Sequence, residues 1–168
     1  SQVSAGGEEF SAIALPALPE KLDFAGEEVP LEYFDVREAL QRELLVTSYM
    51  HSGTFRTLLN MKRYFSVIEP ILERNGIPDD FKYLCMAESA LNPETVSPAG
   101  AAGLWQFMPK TGREYGLAVG SQVDERYDIE KSTEAACAYL RDAYERFGSW
   151  TLAAAAYNAG NAGVSRRM

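Results

Sequence analysis

The sequence predicts an all-α domain built from short helices. Three observations lead there: no run alternates apolar and polar residues with period two, several segments repeat apolar residues at helical spacing, and Pro, Asn-Gly and Gly interrupt those segments at short intervals. A compact set of short helices is expected, not a long regular bundle.

Residues 1–30 mix Ser, Ala, Gly, Glu and Pro without a sustained apolar period, and read as an extended peripheral or tether segment with little regular structure. The folded domain is assigned to residues 31–168. From Phe34 to about Met50, a helical stripe runs through Val36, Ala39, Leu40, Leu44 and Leu45. The HSGT segment at His51 then reads as a turn, with Thr54 as N-cap of a second helical stretch through Leu58, Leu59 and Met61; a further stretch runs towards Arg74 and closes at Asn75-Gly76. Pro70 is expected to kink or divide that helix.

Pro78 suits the first position of the next helix, and Asp79 and Asp80 put negative charge where the helix dipole favours it. This helix carries FKYLCMAESAL and ends near Asn92, because Pro93 disfavours helical geometry in the residue before it. NPETVSPAGAAG reads as a structured loop. Short helices are expected from Ala101 to Phe107 and from Pro109 to Tyr115, and LAVGSQVDERYD reads as a loop. The clearest apolar face runs through Ala135, Ala136, Tyr139, Leu140, Ala143, Tyr144 and Phe147, stopped by Gly148. Ser149 can cap a last helix from Trp150 to about Tyr157, ended by Asn158-Ala159-Gly160.

A chain of 168 residues, 46% hydrophobic, can bury one sizeable core and so one active site. No apolar run reaches the roughly eighteen residues of a membrane span, and the start, SQVSAGGEEF, lacks a signal-peptide plan. With 24 acidic and 16 basic residues, the surface repels nucleic acid and anionic lipid, so no nucleic-acid partner is expected. One histidine, His51, and two cysteines, Cys85 and Cys137, build neither a metal cluster nor a Ser-His-Asp triad, so no metal or cofactor is expected. A Cys85–His51 pair is less well motivated than a buried thiol and a surface imidazole, and spacing leaves open whether Cys85 and Cys137 pair.

Carboxylates remain. An isolated Glu at a helix end is usually exposed. Glu88, however, lies near the end of an apolar stretch, among Leu84, Cys85, Met86, Ala87 and Leu91, with a glycine-rich loop next to it. Partial burial there would disfavour its charged form and suit it to giving and retaking a proton near neutral pH. Gly100 and Gly103 let backbone approach closely and could turn amide and carbonyl groups towards a flat ligand, or serve loop geometry alone. Trp105 and Trp150 could stack on a sugar, but core packing explains them equally well.

A linked series of residues goes further: Glu88-Ser89, Asn92-Pro93, Ser97, Gly100-Ala101, Gly103-Leu104, Gln106-Phe107-Met108-Pro109, Thr111, Gly116 and Ala156-Tyr157-Asn158-Ala159-Gly160. In order and spacing it resembles the lytic transglycosylases with a goose-type-lysozyme-like domain. GIPDDFKYL and DERYDIEKSTEAACAYL narrow the resemblance to the membrane-bound lytic murein transglycosylase D group, from about residue 34 to the end. The resemblance implies a compact lysozyme-like fold, with Glu88 as the only catalytic carboxylate. It implies a hydrogen bond from Ser97 in a sugar groove, although a serine before proline is commonly a turn residue. Gln106, Phe107 and Met108 would line that groove, with Met108 otherwise core filler. Tyr157 would bring its hydroxyl beside Glu88, and Asn158 would bind sugar.

The implied reaction cleaves the β-1,4 bond between N-acetylmuramic acid and N-acetylglucosamine without water. It leaves 1,6-anhydromuramyl ends, with one carboxylate where most glycosidases use two; Glu94, the nearest second one, has no marked setting. The implied partners are peptidoglycan glycan strands in the cell envelope, periplasmic, with any lipid or membrane anchor outside this chain. Further helices completing the groove after residue 168 are also implied. The alternatives are a lysozyme-like hydrolytic muramidase and a non-catalytic peptidoglycan-binding module.

Overall fold

The computed structural model describes residues 17–49 and 51–165. Six helices account for most of it: α1 (Phe34–Tyr49), α2 (His51–Arg74), α3 (Phe81–Ser89), α4 (Pro109–Glu114), α5 (Ile129–Phe147) and α6 (Trp150–Ser165). Their order bears out the all-α reading. The core lies where α5 packs between α2 and α6, with α3 against α2. On α2 the buried positions Tyr64, Phe65, Ile68, Ile71 and Leu72 recur at helical spacing, and they meet Phe81, Leu84 and Cys85 of α3 and Ala136, Cys137 and Leu140 of α5. Each large apolar side chain enclosed there contributes about 1.5–3 kcal/mol, so this contact, more than helical propensity, sets the arrangement.

At α5 the Gly148 end is the one the sequence predicts, while Asp128, read there as loop, caps the start. The Asp128 carboxylate accepts from the Lys131 amide at 2.8 Å, and Gly148 takes a left-handed conformation (φ 68°) that lets its amide reach the Tyr144 carbonyl. α3 starts at Phe81, not Pro78, and ends at Ser89, with Ala90 and Leu91 both at positive φ. Asp80 does not cap α3 with its side chain; its Oδ2 accepts from the Ala25 amide at 2.7 Å instead.

Further expectations are corrected. HSGT is helical, since α2 begins at His51 and Thr54 is inside it; the His51 and Thr54 side chains lie outside the described residues. The helical penalties of Ser, Gly and Thr, each at or below about 1 kcal/mol, are small beside the continuing ladder and the downstream packing. The two stretches expected between Thr54 and Arg74 are one helix, and of the kink or division expected at Pro70 the division is absent: Pro70 and Ser66 are both exposed, where water can take up the Ser66 carbonyl that proline cannot serve. Ala101–Phe107 is a set of tight turns with Ala102 bridged to Phe107, not a helix, because Gly103 (φ 83°) and Gln106 (φ 51°) are left-handed. α6 continues through Asn158-Ala159-Gly160. Gly160 there is a point of close packing, since a Cβ on it would lie 3.3 Å from the Tyr139 hydroxyl of α5. The 117–128 loop also contains a short 3₁₀ turn at Glu125–Tyr127.

Residues 1–16 lie outside the described residues. Residues 17–30, where little regular structure was expected, include a hairpin of β1 (Asp23–Phe24) and β2 (Glu27–Glu28), closed by Ala25 and Gly26 at positive φ. Phe24 packs edge-on against Phe81, with ring centroids 5.1 Å apart. The Glu27 carboxylate caps α6 from outside: it accepts from the Trp150 amide at 2.6 Å, the Thr151 amide at 2.8 Å and the Ser149 hydroxyl at 2.8 Å. These bonds, led by Thr151, lower the Glu27 pKa from 4.5 to about 2.

The folded chain therefore binds fewer protons at Glu27 than the unfolded chain does. Its stabilising contribution is complete above pH 4.5 and is lost as pH falls towards about 2. Glu27→Ala is expected to lower the melting temperature at neutral pH and to flatten the stability–pH curve over that interval. Thermal melts of parent and variant from pH 7 to 2 check this, and parallel curves would exclude the cap as the source.

Candidate active site

Glu88 occupies the last turn of α3 and is half-buried, with its Oε1 enclosed. Two groups feel its charge. The thiol of Cys85, one turn earlier, is pushed up by burial and then by Glu88. The Tyr157 hydroxyl is raised well above the usual tyrosine value, first by complete burial and then by the Glu88 carboxylate. The geometry thus brings α3 and α6 together at a carboxylate and a phenol that stays protonated. Cys85 is buried and unpaired, donating weakly to the Leu104 carbonyl at 3.5 Å, and Cys137 is likewise free and buried, its thiol pushed up to about 12.

Tyr157 is 3% exposed and its ring meets Trp105, Phe107 and Tyr139 edge-on. Its hydroxyl donates to the Trp105 carbonyl at 2.6 Å, so it ties α6 to the turn that follows α3. Trp105 is fully buried and donates through Nε1 to Thr133 Oγ1 at 2.9 Å; core packing accounts for it. Trp150 stacks on Tyr144 at 4.0 Å and packs edge-on against Phe81.

The segment from Ser97 to Met108 is tied to α3 and α6 through the Leu104 and Trp105 carbonyls. Ser97 Oγ accepts from the Ala101 amide at 3.0 Å, while the Ser97 amide donates to the Ala101 carbonyl at 2.9 Å; this closes a turn. Gln106 is 4% exposed, and its Nε2 donates to the Thr95 carbonyl at 3.0 Å and the Gly103 carbonyl at 2.8 Å. Both amide hydrogens thus hold the loop. Phe107 is buried against Tyr157, whereas Met108 is half-buried at the N-cap of α4. Asn158, one position past the inward-facing Tyr157, is exposed.

One residue here has no local sequence signal. Arg126 sits in the acidic DERYD and reads as solvated, yet it is 8% exposed. Its Nη1 donates to the Gly100 carbonyl at 2.8 Å and the Phe107 carbonyl at 3.0 Å, while Nε and Nη2 form a fork on Asp124. The Arg126 backbone also presses on the loop: a Cβ on Gly103 would come within 1.9 Å of its carbonyl oxygen. Among the described residues, no group of three His, Cys, Asp or Glu side chains could hold a metal ion.

Residues 66–168 match the family model described as the transglycosylase SLT domain. The chain belongs to that family. It is 35% identical over 149 residues to membrane-bound lytic murein transglycosylase D of Escherichia coli (strain K12), covering 86% of this chain and 32% of that protein. A putative tributyltin chloride resistance protein of Alteromonas sp. (strain M-1) is 29% identical over 71% of this chain and 58% of its own length. The soluble lytic murein transglycosylase of Escherichia coli (strain K12) is 37% identical over 44% of this chain and 12% of that protein. The SLT-domain chain thus spans about a third of the Escherichia coli D-type relative, 32% of its length.

Three substitutions test these contacts. Gly103→Ala forces a methyl group into backbone and is expected to cost more than about 3 kcal/mol in urea unfolding, whereas Gly116→Ala, at φ 89° with open space, carries only the backbone strain of about 1 kcal/mol. Equal losses would exclude the Arg126 contact as the cause. Tyr157→Phe keeps the ring but removes the donor from the Trp105 carbonyl, for an expected loss of about 1–2 kcal/mol by the same measurement.

Proposed function

We propose that this domain cleaves the β-1,4 bond between N-acetylmuramic acid and N-acetylglucosamine in peptidoglycan by intramolecular transglycosylation, with Glu88 as the single acid and base. The observation that carries this reading is the setting of Glu88: a half-buried carboxylate in the last turn of an apolar helix, with one oxygen enclosed and its charge felt by a buried phenol. Relatives named lytic murein transglycosylases support the substrate class.

In the first step, protonated Glu88 gives its proton to the oxygen linking the two sugars as the bond from the muramyl anomeric carbon to that oxygen breaks. The muramyl acetamido oxygen stabilises the positive charge left on the anomeric carbon. In the second, the Glu88 carboxylate takes the proton of the muramyl hydroxymethyl group while that oxygen bonds to the anomeric carbon. The 1,6-anhydro ring closes, the carboxylic acid is restored and no water is consumed. Tyr157, held protonated by burial, keeps a neutral dipole beside the carboxylate through both steps. Ser97, Gln106, Phe107, Met108 and Asn158 are assigned to the sugar groove, where Gln106 would meet a saccharide through Oε1, its Nε2 being engaged in the loop.

The site of action is then the cell envelope, on its periplasmic side, with any lipid or membrane anchor outside this chain. Among the described residues no helix is long and apolar enough to cross a membrane.

Glu88→Gln keeps the shape but can neither deliver nor recover a proton. Its release of fragments from purified peptidoglycan is expected to fall at least about a hundredfold, with glycan binding retained. Undiminished cleavage by the variant would remove Glu88 from the mechanism, and binding without cleavage by the parent would favour a non-catalytic module.

A further inference from the structure

We propose that Arg126 is the positioning residue of the glycan-binding loop, holding Ser97–Phe107 in its ligand-ready shape from outside the groove; this rests on the reading of the site given above. The loop has no regular ladder to fix it, and it includes a non-glycine residue, Gln106, in left-handed backbone at φ 51°. Such a conformation persists only where its surroundings over-determine it. Arg126 supplies that at three points of the loop and braces it against α4 at a fourth.

Its Nη1 bridges the carbonyls of Gly100 and Phe107, which flank the turn, at 2.8 Å and 3.0 Å. Its own carbonyl abuts Gly103 in the middle of the turn, and its Cγ and Cδ lie within contact of Gly112 on α4, at 3.4 Å and 3.5 Å from where a Cβ would be. The Asp124 fork fixes the guanidinium plane, so both carbonyls are met by one rigid donor set. Lysine offers a single point charge and cannot hold Asp124 bidentately while bridging the two carbonyls in one plane. Glu88 is anchored separately, on α3. A defect at Arg126 should therefore appear in glycan binding more than in the chemical step.

The test uses Arg126→Lys and Arg126→Met in this chain, at a temperature where far-ultraviolet dichroism shows both folded. For glycan strands, KM is expected to rise about tenfold while kcat falls by less than about threefold. Amide hydrogen exchange at Ala102, Gly103 and Gln106 should accelerate at least about tenfold, with Ala136 and Leu140 in α5 at parental rates. An unchanged KM in a folded variant overturns the proposal. So does equal acceleration in α5, or loss of the fold in both variants, since either makes Arg126 a global stability element. If the parent turns over no glycan, the dissociation constant for an N-acetylglucosamine tetramer replaces KM. A parent that neither cleaves nor binds counts against the proposed function, and the exchange pattern then decides the role of Arg126 by itself.

Discussion

From Ala101 to Phe107 the backbone is buried without belonging to a helix or strand, and the hydrogen bonds that satisfy it organise the rest of the domain. A buried carbonyl or amide left without a partner costs about 1–3 kcal/mol, so several such groups in succession would unfold a domain of this size. Their partners come from every side. Tyr157 of α6 serves Trp105, Cys85 of α3 serves Leu104, Arg126 serves Phe107 and the flanking Gly100, and Gln106 serves Gly103 from within. The loop is thus a hub joining three parts of the chain that are distant in sequence.

That arrangement has a chemical consequence. The contact that satisfies Trp105 also sets Tyr157 where the charge of Glu88 reaches it, Cys85 lies one turn before Glu88 on α3, and an apolar frame of Trp105, Phe107 and Tyr139 excludes water from the phenol. An acid that must give and retake one proton benefits from neighbours that stay neutral throughout. The buried thiol and phenol both do so, because burial raises their pKa values before Glu88 adds to the effect.

Helices with one apolar face were legible in the sequence. The α5 stripe, its Gly148 end and the Ser149 start of α6 all lie within reach of local rules, since periodicity and capping are local, whereas Asp128, which caps the start of α5, reads as loop. Ala101–Phe107 misled because Ala, Leu, Trp and Phe look the same to a helical period whether they are buried by a helix or by turns; only left-handed Gly103 and Gln106 separate the two. The end of α6 misled for a different reason. Gly160 reads as a stop signal locally, but it answers to Tyr139 on another helix. Glu88 stood out by its apolar surroundings, whereas Arg126 was hidden, because its burial depends on carbonyls 19 and 26 residues away. Likewise, nothing in residues 23–28 announces that Glu27 will cap a helix more than a hundred and twenty positions later.

If one carboxylate works without a second to position water, the attacking oxygen comes from the substrate. Digesting peptidoglycan with the parent protein in water enriched in heavy oxygen, and weighing the new glycan ends by mass spectrometry, tests it most directly. Intramolecular attack predicts 1,6-anhydromuramyl ends carrying no label. Reducing ends that have gained one heavy oxygen would contradict it and identify the domain as a hydrolase.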